Sequence, residues 1–186
     1  ITVAAGDSAK AIAAQLNGAV GGLSATASTE VSFKVTATPA VPANFSLTVA
    51  GAKVSFVGVT STSDLADQLK SNAAKLGVSV NYDATTQALS VKSDTGENLV
   101  FDGGDAGAVG VQVATKNGSG ALSGYTALAA AGATIIATGA ISLNSTNSYS
   151  MSGAGVGGLF GGAAATSANS AKTVVSNTDV TTDANA

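Results

Sequence analysis

The sequence predicts an α+β fold made mostly of antiparallel strands, with two small β-α-β-β modules and additional strands. Residues 1–17 align with residues 54–70 without a gap, and each copy has the pattern of a strand, a turn and a helix. After each helix, apolar residues recur at every second position, which is the period of a strand with one buried face. The chain is 45% hydrophobic, but mostly through Ala and Val, and only 4% aromatic, so we expect a thin core.

The two copies match where their helices would face a core. ITVAAGDSAKAIAAQLN lies over VSFVGVTSTSDLADQLK. The apolar matches fall at helical spacing, which predicts one buried face on each helix. The matching pairs are Ile12 with Leu65, Ala13 with Ala66, Leu16 with Leu69, and Gln15 with Gln68.

Both helices have sequence signals for their starts and ends. Asp7 or Ser8 would accept the first free amide hydrogens of the first helix, and Ser61 with Asp64 fits a capping box for the second. Glycine adopts the left-handed conformation that ends a helix at little cost. The predicted stops are Gly21-Gly22 and Gly77.

Alternating residues predict a pair of antiparallel strands after each helix and a hairpin before the second helix, around the turn AGAK. The first copy lacks the leading strand of this hairpin, so we expect the sequence to begin partway through a module. Further strands are predicted beyond Asp105. The alternating positions are Leu23/Ala25/Ala27, Val31/Phe33/Val35, Phe45/Leu47/Val49, Val54/Phe56, Val78/Val80/Tyr82, Leu89/Val91, Val109/Val111/Val113, Ile141/Leu143 and Tyr149/Met151.

Pro39 and Pro42 mark a linker between the copies and predict a domain boundary. We expect residues 1–42 and 105–165 to form a first, discontinuous outer domain and residues 43–104 to form a second. The Ser-, Thr- and Asn-rich residues 166–186 would be a poorly ordered return segment.

The residue types that are missing exclude most catalytic and ligand-binding chemistry. The sequence has no His, Cys, Trp or Arg. It therefore lacks a mid-pH acid or base, a thiol nucleophile, soft-metal ligands and a bidentate phosphate clamp. Its formal net charge of −3 argues against nucleic acid. We expect no enzyme activity, no cofactor and no metal.

The sequence gives little support for a membrane segment. Residues 117–171 carry no charge, and residues 127–143 are fairly apolar, but these contain glycines and clustered β-branched residues and have no basic flank. We expect neither a spanning helix nor, at the first residues, a cleavable signal peptide.

Some carboxylates and asparagines are candidates for sites. Asp102 and Asp105 would supply two oxygen ligands for calcium, but a solvated turn is favoured because calcium needs more oxygens than the neighbourhood offers. The other candidates are better interpreted as solvated turns, helix starts or chance matches: Asp64 with Asp67 and Asp94 with Glu97 as glycosidase dyads, the segment from Gly153 to Gly162 as a phosphate loop, and Asn44, Asn117 and Asn144 as glycan acceptors. We assign no catalytic, cofactor-binding or metal-binding residue.

The repeated unit resembles the hook IN motif of bacterial flagellins and of the flagellar cap protein. The resemblance is carried by VSFVGVTSTSDLADQLKSNAAKLGVSVNYDATTQALSVKSDTGENLVF and by the weaker copy at residues 1–17. The family's helix ends near an Ile-Asn pair, where this chain has Leu16-Asn17 and then Leu69-Lys70. The tail SNTDVTTDANA resembles the segment through which flagellins return to their conserved C-terminal helix, which favours flagellin over the cap protein.

The resemblance implies a structural role as the central variable, outer region of a flagellar filament protein. Such a region would be extracellular on the bacterial flagellum, exported without a cleaved signal, and antigenic. Its partners would be neighbouring flagellin subunits, through long terminal helices that this sequence does not resemble, and host receptors or antibodies. We expect the chain alone to be monomeric. O-linked modification of surface Ser or Thr is also implied.

Two alternatives remain open at this stage. One is a flagellar cap protein or another bacterial surface adhesin, which binding of a glycan or mucin would distinguish. The other is a carbohydrate-active hydrolase, which is the weakest because the chain has neither His nor Arg.

Overall fold

The computed structural model describes residues 2–4, 6–19, 21–38, 41–130, 132–145, 147–148, 150–152 and 167–169. It confirms the predicted α+β class, with two α-helices and twelve strands in the described part. In chain order these are α1 (Ala9–Ala19), β1 (Leu23–Val35), β2 (Ala43–Val49), β3 (Ala52–Val59), α2 (Thr62–Leu76), β4 (Ser79–Asp83), β5 (Ala88–Ser93), β6 (Leu99–Gly103), a 3₁₀ helix (Ala106–Gly110), β7 (Val111–Thr115), β8 (Thr126–Ala127), β9 (Thr134–Ala137), β10 (Ala140–Ser145), β11 (Ser150–Ser152) and β12 (Ser167–Asn169).

The strands form two larger sheets and one small hairpin. The first sheet has the order β4-β5-β1-β7-β8, and β10 also pairs with β1. The second has the order β3-β2-β6-β9. β11 pairs with β12 by itself. The hairpins β2-β3 and β4-β5 are antiparallel, as the sequence predicts for the second copy.

The strand pair predicted after the first helix is wrong, because residues 23–35 form one continuous strand of 13 residues. The step between its two halves, Ala27-Ser28-Thr29-Glu30, contains no Gly, Asn or Pro to support a tight turn. β1 therefore runs on. Its residues 29–33 pair with β5, and its residues 31–35 pair with β7.

The strand predicted at the start of the first copy is also wrong for residues 2–4, which lie outside any strand. The backbone N–H of Ala4 donates to Asp7 Oδ2 at 2.8 Å, and Gly6 takes a positive φ of 94°. The chain is thus turned into α1 rather than extended. Of the two predicted caps for α1, Ser8 does the capping, since its Oγ accepts the N–H of Ala11 at 3.2 Å.

The main core lies between the two sheets and under α2. Phe33 of β1 meets Phe101 of β6 edge to face, with ring centroids 5.8 Å apart, so the inner faces of the sheets are in contact. α2 adds three fully buried side chains, those of Leu65, Ala66 and Leu69. Burying each leucine contributes roughly 1.5–3 kcal/mol, so α2 is held mainly by this face.

α1 packs beside this core, against β1. Ile12 and Leu16 are buried on its inner face, and Leu23 and Ala25 of β1 are buried as well. The small side chains of Ala9 and Ala13 are also buried on this helix. No helix in the described part of the chain is long and apolar enough to cross a membrane.

The contacts group residues 1–143 into one compact unit and residues 144–186 into another. Both larger sheets belong to the first unit. The predicted division of residues 1–42 and 105–165 from residues 43–104 stays a prediction. Apart from residues 167–169, the predicted return segment 166–186 lies outside the described residues.

Candidate functional surface

Three of the six carboxylates named as candidates are engaged in ion pairs. Glu97 lies 2.6 Å from Lys10, and Asp94 lies 2.6 Å from Lys92. Each of these two carboxylates thus faces its own lysine rather than a shared substrate position. Pairs of this partly exposed kind contribute about 0–1 kcal/mol each, so they tune the surface more than they hold the fold.

The carboxylate of Asp64 is part of the start of α2. The N–H of Asp64 donates to Ser61 Oγ at 3.1 Å, and Asp64 Oδ2 accepts the N–H of Thr60 at 3.1 Å. The predicted capping box is therefore present, with the return bond made one residue earlier than the usual pattern. At the other end of α2, Gly77 has the left-handed φ of 66°.

Asp102 and Asp105 bind different partners and do not converge on a cation position. Asp102 Oδ2 accepts from Lys53 Nζ at 3.2 Å, whereas Asp105 caps the 3₁₀ helix through the N–H groups of Gly107 and Ala108. Within the described residues there is no group of three or more Asp or Glu side chains placed to hold a metal ion. The favoured interpretation of a solvated turn is wrong for Asp102, which lies within β6, while Asp105 is the N-cap of the 3₁₀ helix.

Asp105 fastens β2 to the segment that follows β6. Its Oδ2 accepts a short hydrogen bond from the Asn44 side chain, and its Oδ1 accepts the Asn44 N–H at 3.4 Å. The side-chain bond from Asn44 is the largest cause that lowers the pKa of this carboxyl below its ordinary value of 3.8. Desolvation, the next largest cause, raises the pKa, and the backbone N–H groups of Asn44, Gly107 and Ala108 lower it further.

Gln68 covers the free edge of β3. Its Nε2 donates to the carbonyl of Val57 at 3.2 Å, and its Oε1 accepts the Val57 N–H at 3.4 Å. On the other side of β3, the N–H of Gly58 donates to Asn44 Oδ1 of β2 at 2.7 Å, where the register of the β2-β3 pair shifts. The side-chain amide of Gln68 thus occupies backbone groups that an edge strand would otherwise offer to another chain.

In the first copy, Asn17 bonds a strand residue in the same way as Gln68 does in the second. Its Nδ2 donates to the carbonyl of Ala25 at 2.8 Å, and its Oδ1 accepts the Ala25 N–H at 2.6 Å. This pair of bonds ties the last turn of α1 to β1. At the aligned position of the second copy, Lys70 instead places its ammonium 5.6 Å from the ring centroid of Tyr82.

We call each of these pairs of bonds an amide bracket: a helix side-chain amide that bonds both the N–H and the carbonyl of one strand residue, Gln68 at Val57 and Asn17 at Ala25. Sequence analysis did not identify them. The repeat of Gln15 as Gln68 was the available signal, but the spacing alone does not reveal that only one of the two reaches a strand. Lys70, at the position aligned with Asn17, departs from the family pattern, but the bonds that Asn17 makes cannot be predicted without knowing where Ala25 lies.

Of the three asparagines in glycan-acceptor patterns, Asn44 is tied up by Asp105 and Gly58, while Asn117 and Asn144 are exposed. The glycine-rich segment from Gly153 to Gly162 lies outside the described residues. Large exposed apolar side chains are spread over several elements rather than lining one cleft. They are Val3, Val41, Val57, Val109, Leu122, Tyr125 and Ile136.

We predict that Asp105→Asn weakens the acid sensitivity of the fold. Because its pKa is lowered in the folded state, the ionised Asp105 carboxyl stabilises the fold at pH values above its ordinary pKa of 3.8. This stabilisation is lost as the pH falls through the lower pKa of the folded state. Urea unfolding across this acidic range should show a smaller loss of stability for the variant than for the parent. Asp67→Asn is the matched control, and an equal acid dependence in parent and Asp105→Asn would contradict the prediction.

We predict that Asn17→Ala lowers the free energy of unfolding by about 1–3 kcal/mol, because both backbone groups of the buried Ala25 lose their side-chain partner. Gln15→Ala, at an exposed position on the same helix, should change it by no more than about 0.5 kcal/mol. Chemical denaturation measures both. Equal effects of the two substitutions would show that the bracket contributes nothing.

Comparison with known proteins gives two matches. The family model described as the flagellin hook IN motif matches residues 1–39 and 44–95, and each of these ranges contains one of the two aligned copies. The B-type flagellin of Pseudomonas aeruginosa strain PAO1 is 41% identical over 180 residues, covering 92% of this chain. The chain spans 37% of the length of that relative. The repeated motif and the identity across nearly the whole chain together show that this chain belongs to the flagellin family.

Proposed function

We propose that the chain is an outer, surface-exposed structural module of a bacterial flagellar filament protein. In this proposal the module is carried outside the cell on the flagellum, and contacts between subunits are made chiefly by other parts of the full-length protein. The isolated chain is then a monomer. Its role is to set the chemical and antigenic surface of the filament.

The observation that carries the proposal is the identity of 41% to a B-type flagellin across 92% of this chain, combined with a match to 37% of that protein's length. A stretch of this size within a larger flagellin agrees with one region of the subunit rather than the whole. Flagellin is a family of structural proteins, which agrees with the residue types available here: there is no His, Cys or Arg for the commonest catalytic roles.

The arrangement of the first unit suits a lobe carried on two neighbouring connections. A methyl group built on Gly139, just before β10, would lie 3.0 Å from Cβ of Ala9, the first residue of α1. The first helix of the unit and its last strand are therefore side by side. A lobe joined in this way extends from its support without separating the two chain segments that hold it.

The edges and charges also suit a module that faces water in a crowded array. The free edge of β3 is blocked at Val57 by Gln68, and this reduces unwanted strand pairing between neighbouring copies. Four of the seven lysines in the described part of the chain are paired with carboxylates, and the formal net charge of the whole chain is −3. These features favour an exposed spacer over a binding cleft.

Cysteine labelling of assembled filaments tests the proposal, because the chain contains no cysteine of its own. Val57 is 69% exposed and Val59, two residues along the same strand, is fully buried. In full-length flagellin with no other cysteine, Val57→Cys should react with a maleimide dye as fast in intact filaments as in free subunits. Val59→Cys is the matched control and should react only after unfolding.

Labelling of Val57→Cys in free subunits but not in filaments would contradict the proposal, because it would place this strand inside the assembly. Failure of the full-length protein to form filaments or to reach the cell exterior, while still folded, would contradict the assignment to the flagellum.

A further inference from the structure

The chain contains two Asn-Gly dipeptides, Asn17-Gly18 and Asn117-Gly118, in opposite structural environments. An asparagine side chain that precedes glycine is open to attack by the glycine's backbone nitrogen, because glycine has no side chain to hinder the approach. The same dipeptide therefore has the same intrinsic chemistry at both positions. The surrounding structure decides which of the two reacts.

Asn117 is exposed in the connection between β7 and β8, and its side-chain oxygen is unusually well supplied with donors. Oδ1 accepts from Ser119 Oγ at 2.7 Å, from the Ala121 N–H at 2.9 Å and from the Ser119 N–H at 3.1 Å. The last of these bonds closes an Asx turn, which curls the side chain over the peptide that follows it. Nδ2 donates to no group in the part of the chain that the structure describes.

These three donors point at the atom that gains negative charge when the amide carbon is attacked. Preorganised donors at such an oxygen stabilise a tetrahedral intermediate, as in an oxyanion hole. A methyl group built on Gly118 would approach nothing closer than Cβ of Ala140, at 3.7 Å, so the reacting peptide has room to move.

Asn17 is held away from the same reaction. Its Nδ2 and Oδ1 are both bonded to the backbone of Ala25, at 2.8 and 2.6 Å. Gly18 lies within α1, where backbone N–H groups are directed along the helix to the carbonyls one turn earlier. Reaction at Asn17 first requires the end of α1 and its bracket to open.

We propose that Asn117 is a site of spontaneous deamidation and that Asn17 is protected from it. The backbone nitrogen of Gly118, losing its proton to a solvent base, forms a bond to Cγ of Asn117. The bond from Cγ to Nδ2 breaks, and ammonia leaves with a proton from solvent, giving a cyclic imide. Water then opens either carbonyl of the ring to leave aspartate or isoaspartate. The net change is water taken up and ammonia released, with no oxidation or reduction.

The reaction adds a negative charge to a loop that has none between residues 117 and 125. The neighbouring lysine, Lys116, is already paired with Glu30 at 3.1 Å, so it does not serve the new carboxylate alone. The aspartate product keeps an acceptor for the donors of the loop. The isoaspartate product lengthens the backbone and disturbs the bond from the Asn117 N–H to the Ala121 carbonyl, now 2.9 Å.

Ageing the intact folded chain in mildly alkaline buffer tests the proposal. Peptide mapping by mass spectrometry follows the conversion of amide to acid at each position, with fragment ions assigning the residue. We expect Asn117 to convert at least about tenfold faster than Asn17 in the folded protein, and the two rates to converge in urea, where the protection of α1 is lost.

Two substitutions separate the steps of the proposal. Gly118→Ala should slow conversion of Asn117 strongly by hindering the attacking nitrogen. Ser119→Ala removes one donor to Oδ1 and should slow it more modestly, while far-ultraviolet circular dichroism confirms that both variants remain folded. Conversion of Asn17 as fast as Asn117 in the folded chain would overturn the proposal. So would an unreactive Asn117 in the folded chain.

Discussion

The pairing of β1 on both of its sides is the constraint on which the rest of the first unit depends. β1 comes from the first motif copy, but its neighbours are β5 of the second copy and β7, which follows the second copy. The same strand carries Phe33, which meets Phe101 of the other sheet. One strand therefore joins the two copies within a sheet and also joins the two sheets across the core. We expect the two stretches separated by the predicted linker to unfold together.

Side-chain amides complete the fold where backbone pairing ends. Gln68 and Asn17 each use one donor and one acceptor to reproduce the pattern of a neighbouring strand, at Val57 and at Ala25. Each bracket secures a helix to a strand through hydrogen bonds, in addition to the apolar packing of the helix. The bracket at Ala25 also protects Asn17 from chemistry to which the exposed Asn117 is open, so the structural and chemical roles of the two asparagines follow from their surroundings.

The sequence predicts local features well and long-range pairing poorly. The helical spacing predicts α2, Ser61 and Asp64 mark its start, and Gly77 marks its end. These signals can be recognised because they act within a few residues. Alternation also locates most of the long strands, but it misses β6 and β9 and wrongly places Val109, which lies in the 3₁₀ helix, in a strand. It also cannot distinguish two short strands from the single strand β1, since nothing local states which partners lie beside it. The hydrogen-bond partner of Asn17, the backbone of Ala25, cannot be predicted for the same reason. The capping role of Asp64 could be predicted because Thr60 and Ser61, which it binds, are close in sequence. Asp102 with Lys53 and Asp105 with Asn44 pair across the fold, so these partners could not be predicted.

Native-state hydrogen exchange of the full chain tests the central claim, that β1 unites both motif copies into one cooperative unit. The account predicts that amide hydrogens of β1, β5 and β7 become exchangeable through the same opening as those of β2 and β6, with the same free energy and the same dependence on denaturant. Exchange of β1 and β7 at much lower denaturant, while β2, β5 and β6 stay protected, would contradict it and would mean that the two copies fold independently.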